Sequence, residues 1–209
     1  MDSLVAGYRK FRSIYYEQNH ELFEALARDG QSPKTLLIGC SDSRVDPAVI
    51  FWAQPGDMFV VRNVASLVPP YAPDGHLHGT SAAIEFAARS LKVEHIIVMG
   101  HSGCGGVGAL FGNKEGAPSD FFADWISVAR QAHDRALLRA LSLKASHGEM
   151  LKICEQEVVA ASMTNLMSFP WVRERVEAGE MKIHGLWFNV HDGELYILDP
   201  VSNSFVTMT

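Results

Sequence analysis

No apolar run in the chain approaches the ~18 residues that a membrane-crossing helix needs, so no transmembrane segment is expected. Basic residues are not in excess either: 18 Lys and Arg face 24 Asp and Glu, for a formal net charge of −6. A phosphate-backbone partner demands a basic face, so nucleic-acid binding is not expected. The opening Met1-Asp2-Ser3-Leu4 lacks the basic segment and following apolar stretch of a secretory signal, which makes a cytoplasmic location the expectation. Cysteine is scarce. Three in 209 residues is an odd number, in a chain too large for a small disulfide-stapled scaffold. Reduced thiols acting as core residues, metal ligands or nucleophiles are the alternative. Internal repeats and low-complexity tracts are absent as well.

What remains is the composition of one ordinary globular domain over residues 1–209, with 47% hydrophobic and 20% charged residues. Leu4, Tyr8, Phe11 and Tyr15 fall at helical spacing, and Leu22, Phe23, Leu26 and Ala27 mark a second helix before Gly30. This 1–30 segment reads as an N-terminal helical arm that packs on its own domain or on a neighbouring subunit. Three apolar runs follow, 35–40 (TLLIGC), 58–64 (MFVVRNV) and 95–100 (HIIVMG). A helix over about 79–91 separates the last two, with Ala82, Ala83, Phe86, Ala87 and Leu91 expected inward. Continuous β-branched runs alternating with helices predict a parallel sheet covered on both faces. After a polar Gly/Pro-containing stretch at 112–118, helices are expected at about 119–141 and 148–168. Strands at 182–191 and 194–199 around Asp192-Gly193 close the chain as a hairpin.

Two short stretches carry chemistry. Gly39-Cys40-Ser41-Asp42-Ser43-Arg44 ends the first strand, and His101-Ser102-Gly103-Cys104-Gly105-Gly106 ends the third. Ligands of open parallel sheets bind beyond the carboxyl ends of the strands, where strand order reverses. With the order 2-1-3, Cys40, His101 and Cys104 converge at that point. Two thiolates and an imidazole form a zinc set that leaves a fourth position open. Cys154 lies in the helical pattern Leu151, Cys154, Val158 and reads as a core residue.

The two motifs strongly resemble those of the β-class carbonic anhydrases. Residues 54–70 (QPGDMFVVRNVASLVPP), 79–87 (GTSAAIEFA) and 185–199 (GLWFNVHDGELYILD) resemble the same family, so the likeness runs from Gln31 nearly to the end. It implies an α/β fold, a mostly parallel sheet of four strands plus an antiparallel C-terminal edge strand flanked by helices. It implies one Zn2+ per chain on Cys40, His101 and Cys104, CO2 and bicarbonate as substrate and product, and a homodimer or dimer of dimers with the active site at the interface. Asp42 would accept a hydrogen bond from the attacking oxygen, and Arg44 would hold Asp42 in a two-pronged pair. Zinc acidifies a bound water, less so when two thiolates cancel its formal charge. By position, Gln31 resembles a substrate-facing glutamine, the N–H of Gly105 a donor to substrate, and Phe59 and Val64 an apolar wall. Phe86 stands where the family often has a tyrosine, which removes a hydroxyl from the pocket edge. His76 and His78 read as surface loop residues. One branch of the family closes its site through a bicarbonate-linked switch that needs a tryptophan three residues before the first cysteine ligand. Leu37 stands there, and Val60-Val61 precede Arg62 where that branch tends to have a histidine, so an open site is implied.

Other readings compete. Gly103-Cys104-Gly105-Gly106-Val107-Gly108 spells G-x-G-x-x-G, but no second strand with a terminal acid follows it. A phosphatase with Cys40 as nucleophile and Arg44 as clamp has only three residues between them, too few to wrap a tetrahedral anion. A non-catalytic zinc protein would want a fourth ligand. Hydrolysis of carbonyl sulfide or carbon disulfide is the nearest alternative within the family fold.

Overall fold

The computed structural model describes residues 1–112 and 119–208. Its centre is a six-stranded sheet in the order β2-β1-β3-β4-β5-β6. β1 (Thr35–Cys40), β2 (Met58–Asn63), β3 (His95–His101) and β4 (Lys182–Phe188) run parallel, and β5 (Leu195–Asp199) and β6 (Ser204–Thr207) are antiparallel. The 2-1-3 order is the one expected. The antiparallel C-terminal strand is β5, but it is not the edge. β6 lies outside it, and its four residues, flanked by polar ones, give no apolar run to read. The hairpin strands are also shorter than expected, because Asn189 and Asp192 hydrogen-bond across the turn and spread it over several residues.

Both sheet faces are covered, and the interiors of the central strands, Leu36–Ile38 and Ile96–Met99, are apolar at every position. Leu36, Ile38, Ile96 and Val98 face α5 (Gly79–Glu85), α9 (His147–Leu166) and α10 (Pro170–Glu177) through Ile84, Ala87, Val159 and Phe169. Leu37, Met99 and Leu186 face the other way, toward Phe51 after the short α4 (Pro47–Ile50). A capping box between Ser146 and Glu149 starts α9. α8 (Arg130–Leu143) follows the short α7 (Phe122–Ser127) and lies along α9 through the small residues Ala132, Ala136 and Ala140. The single helix expected at 119–141 is thus two helices, broken at Val128-Ala129. The stretch expected at 112–118 lies, from 113 on, outside the described residues. None of the described helices is long and apolar enough to cross a membrane.

The N-terminal arm comprises α1 (Asp2–Lys10), a π-helical turn at Phe11–Tyr15, α2 (Tyr16–Gln18) and α3 (His20–Asp29). Its expected stripe divides in two. Tyr15 donates to Gln54 Oε1 at 2.8 Å and stacks on Phe11, which meets Phe23, so this end is anchored to its own domain. Leu4 and Tyr8 are 70% and 62% exposed. The helix after β2 also differs from expectation. Ile84, Ala87 and Ala88 turn inward, while Ala82 and Phe86 are exposed and Phe86 lies against Phe59. A π-helical turn at Phe86–Ser90 shifts the helical phase there.

α9 sits directly on β3 at Gly100, where an added Cβ would come within 2.6 Å of Val159 Cγ2. Gly100→Ala is therefore expected to cost about 1–3 kcal/mol by overpacking. Urea unfolding checks this, and an unchanged midpoint would show that the helix can give way.

Candidate metal centre

The parallel register sets Gly39 opposite Met99, so Cys40 lies beside the Gly100-His101 end of β3. Cys104 caps α6 (Gly105–Gly108) one turn of chain later. The two cysteine sulfurs are 4.0 Å apart, and with a His101 ring nitrogen they form a group whose atoms all lie within 4.8 Å of one another. All three side chains are buried. His101 Nδ1 faces the carbonyl of Ser102 at 3.0 Å and donates to it, which leaves Nε2 as the lone-pair nitrogen. That Nε2 is the one buried side-chain polar atom among the described residues without a hydrogen-bond partner. A buried orphan acceptor beside two sulfurs fits a soft dication with mixed N and S ligands, and zinc is such an ion.

The thiols give the same answer electrostatically. Cys104 and His101 draw the Cys40 thiol below its ordinary range, whereas proximity to Cys40 and burial push Cys104 up. Two buried sulfurs this close cannot both ionise without a counter-charge, and a dication supplies it. Cys154 is separate: burial pushes its thiol up to about 12, and it packs in the core with Val158.

Asp42 stands over this group, with Oδ2 3.9 Å from His101 Nε2. Arg44 grips it through Nε to Oδ1 at 3.0 Å and Nη2 to Oδ2 at 2.7 Å, and the Arg44 backbone N–H adds a third bond to Oδ1. These bonds hold the carboxyl well below the usual carboxylate range. Arg44 also donates to the Gly103 carbonyl, tying the first motif to the second.

Arg62 is the organiser that sequence reasoning did not identify. It donates to the carbonyls of Cys40 and Asp42 and pairs with Asp46, so one guanidinium spans the loop that carries ligand and acid. Beyond it, Asn63 bonds both backbone groups of Leu67 and thereby holds a turn in which Ala65 and Ser66 are left-handed. A pair of left-handed non-glycine residues needs such support. The turn presses Val64 and Ala65 onto Gly106, where an added Cβ would meet Val64 at 2.8 Å.

The structure thus brings Cys40, His101, Cys104, Asp42, Arg44, Val64 and Gly105 together within one chain. Gln31, Phe59 and Phe86 are not among them. Phe59 pairs with Leu36, four residues before the level of Cys40, and is roughly 13 Å down the strand. Gln31 precedes the far end of β1, and Phe86 accompanies Phe59. Sequence order already puts Gln31 ahead of β1 and Phe59 second in its strand, at the amino ends, whereas the three donors stand at the carboxyl ends. His76 and His78 belong to a loop held by Asp74.

Comparison with known proteins agrees with this geometry. The family model described as carbonic anhydrase matches residues 35–195. β-Carbonic anhydrase 6, mitochondrial, of Arabidopsis thaliana is 42% identical over 197 residues, covering 93% of this chain and 66% of that protein. The β-carbonic anhydrase CcaA superposes with a TM-score of 0.89 at 33% identity, over all of this chain and 92% of that one. The chain belongs to the β-carbonic anhydrase family. Two tetrameric β-carbonic anhydrases of Sordaria macrospora give a TM-score of 0.82 at 29% identity, covering 100% of this chain and 98% of that one. The chain spans about two thirds of the length of the Arabidopsis relative. Enzymes of this family use zinc, and the Cys-His-Cys group has the donors to hold it.

Cys104→Ser is expected to lose zinc, and Cys154→Ala to keep a full equivalent per chain. Elemental analysis of the purified variants decides between the two thiols. A full zinc content in Cys104→Ser would remove this residue from the ligand set.

Proposed function

We propose that the chain catalyses the reversible hydration of CO2 to bicarbonate and a proton, with one zinc held by Cys40, His101 and Cys104. The observation that carries this reading is the buried donor group with its orphan His101 Nε2, set directly beneath an acid fixed by two-pronged pairing with Arg44. Zinc held there supplies a water acidified enough to attack CO2 near neutral pH.

The chain's own groups do the remaining work. Asp42 stands close enough to the donor group to accept a hydrogen bond from the attacking oxygen and so aim its lone pair at the carbon. Arg44 keeps both carboxylate oxygens in place, so no reorganisation accompanies the reaction. The backbone N–H of Gly105, in the first turn of α6, has no partner inside that helix and is available to a substrate oxygen. Val64 supplies apolar surface for a nonpolar gas.

Gln31, Phe59 and Phe86 complete the pocket from a second copy. Their position far from their own metal group, the half-exposed Phe86 and the exposed Leu4 and Tyr8 of the arm all support a working unit of at least two chains. The tetrameric state of the Sordaria relatives supports the same reading. A fully active monomer, seen by light scattering at assay concentration, would overturn it.

We read the site as one that stays open. Leu37 is fully buried against Met99 and Leu186, and its side chain has no N–H with which to hold bicarbonate. A closed state therefore gains no ligand-linked stabilisation. The hydration rate is expected to rise through the mildly alkaline range along a single-proton curve, and added bicarbonate should leave that curve in place. The measurement is rate against pH with and without bicarbonate at constant ionic strength. A steep, multi-proton loss that bicarbonate moves to higher pH would sink the open-site reading.

A further inference from the structure

Helix α9 delivers one acidic side chain to the back of the metal group. Glu155 is 5% exposed. Its Oε1 accepts the backbone N–H of Cys104 at 3.1 Å, and its Oε2 accepts the indole N–H of Trp187 at 3.2 Å. Among the described residues these donors are both neutral, so no ion pair offsets the burial of the carboxylate. Burying a charge in this way is costly, and an apolar side chain of similar size would fill the space without that cost. The carboxyl group is nonetheless kept there, with each oxygen on an N–H donor.

What it touches is one peptide unit. The N–H of Cys104 belongs to the same peptide bond as the carbonyl of Gly103, and that carbonyl accepts from Arg44 Nη2 at 3.0 Å. A cation sits at the negative end of this peptide dipole and an anion at its positive end. Glycines flank Cys104 on both sides, and Gly103 has φ +66°, so the local chain alone does little to hold the peptide plane. Trp187 fixes the other carboxylate oxygen, and Lys152 Nζ lies over the Trp187 ring, 5.1 Å from its centroid. Both donors to Glu155 can only donate. Two such donors want an acceptor at each oxygen, which a carboxylate offers. A glutamine would present an N–H2 to one of them.

We propose that Glu155 is a positioning residue for the metal centre: with Arg44 it clamps the Gly103–Cys104 peptide, turning the Cys104 sulfur toward Cys40 and His101. This rests on the reading of those three residues as zinc ligands. Partners that orient metal ligands from behind typically change metal affinity about 10–100-fold when removed. The Asp42–Arg44 pair and Glu155 thus act on the same ligand from opposite sides.

The test is zinc affinity, measured by chelator competition on the metal-free protein, for wild type, Glu155→Gln and Trp187→Phe. Circular dichroism reports the fold, and the visible spectrum of the cobalt-loaded protein reports thiolate geometry. Glu155→Gln is expected to keep the fold, bind zinc about tenfold or more weakly, and shift the cobalt–thiolate bands. Affinity within twofold of wild type with an unchanged cobalt spectrum overturns the proposal. Should Glu155→Gln fail to fold, Trp187→Phe decides: it keeps a ring and frees one carboxylate oxygen, so a several-fold loss supports the clamp and an unchanged affinity overturns it. A wild-type chain that binds no zinc removes the metal reading, and this inference with it, which is a different result from a zinc-binding wild type with an indifferent Glu155.

Discussion

The parallel pairing of β1 with β3 is the constraint on which the centre depends. It sets Cys40 beside the end of β3 although the two motifs are far apart in the chain. Nothing local to either motif creates the site. The pairing also sets up an electrostatic conflict, since it buries two thiols 4.0 Å apart beside an imidazole nitrogen with nothing to bond. A dication resolves all of these at once, so metal binding and the tightness of this end of the sheet are thermodynamically coupled.

Around that group the charges are arranged in layers. Arg62 holds the loop from Cys40 to Asp46 through the carbonyls of Cys40 and Asp42 and the Asp46 carboxylate, which makes it a fixture of the scaffold. Arg44 does two things with one guanidinium: it orients Asp42 and reaches the Gly103 carbonyl. Asp42 and the loop that carries Cys104 are therefore mechanically linked. A disturbance of either arginine should not be read as loss of charge alone.

Much of this was legible in the sequence, and the reasons are specific. Thr35–Cys40 and His95–His101 are apolar almost without interruption, which only a doubly covered parallel strand explains, and the motifs at their ends carry the ligands. Arg62 was passed over because two of its partners are backbone carbonyls and the third, Asp46, lies 16 residues away, which no residue pattern announces. Glu155 reads as one more charge in an alternating helix, and only the close seating of α9 at Gly100 shows that it points inward. Phe86 was expected inward because an apolar residue at helical spacing usually is, but the inward stripe is Ile84, Ala87, Ala88 and Leu91, which puts Phe86 on the other face. β6 is too short and too polar at its edges to leave a periodic signal.

The placement of Gln31, Phe59 and Phe86 carries the argument one step further. A pocket for a small nonpolar gas must exclude bulk water from the donor group, and within one chain Cys40 and Cys104 already pack with Val45, Ala65, Leu67 and Val107. Meanwhile Phe59 and Phe86 form a half-exposed aromatic pair near the other end of the strands, and the arm projects Leu4 and Tyr8 into solvent. The exposed apolar surface is the feature that lacks a partner among the described residues. In the two-chain reading proposed above, an isologous interface would cover that surface and bring each copy's aromatic pair toward the other copy's metal group. Assembly would then be a condition for the pocket rather than an addition to it.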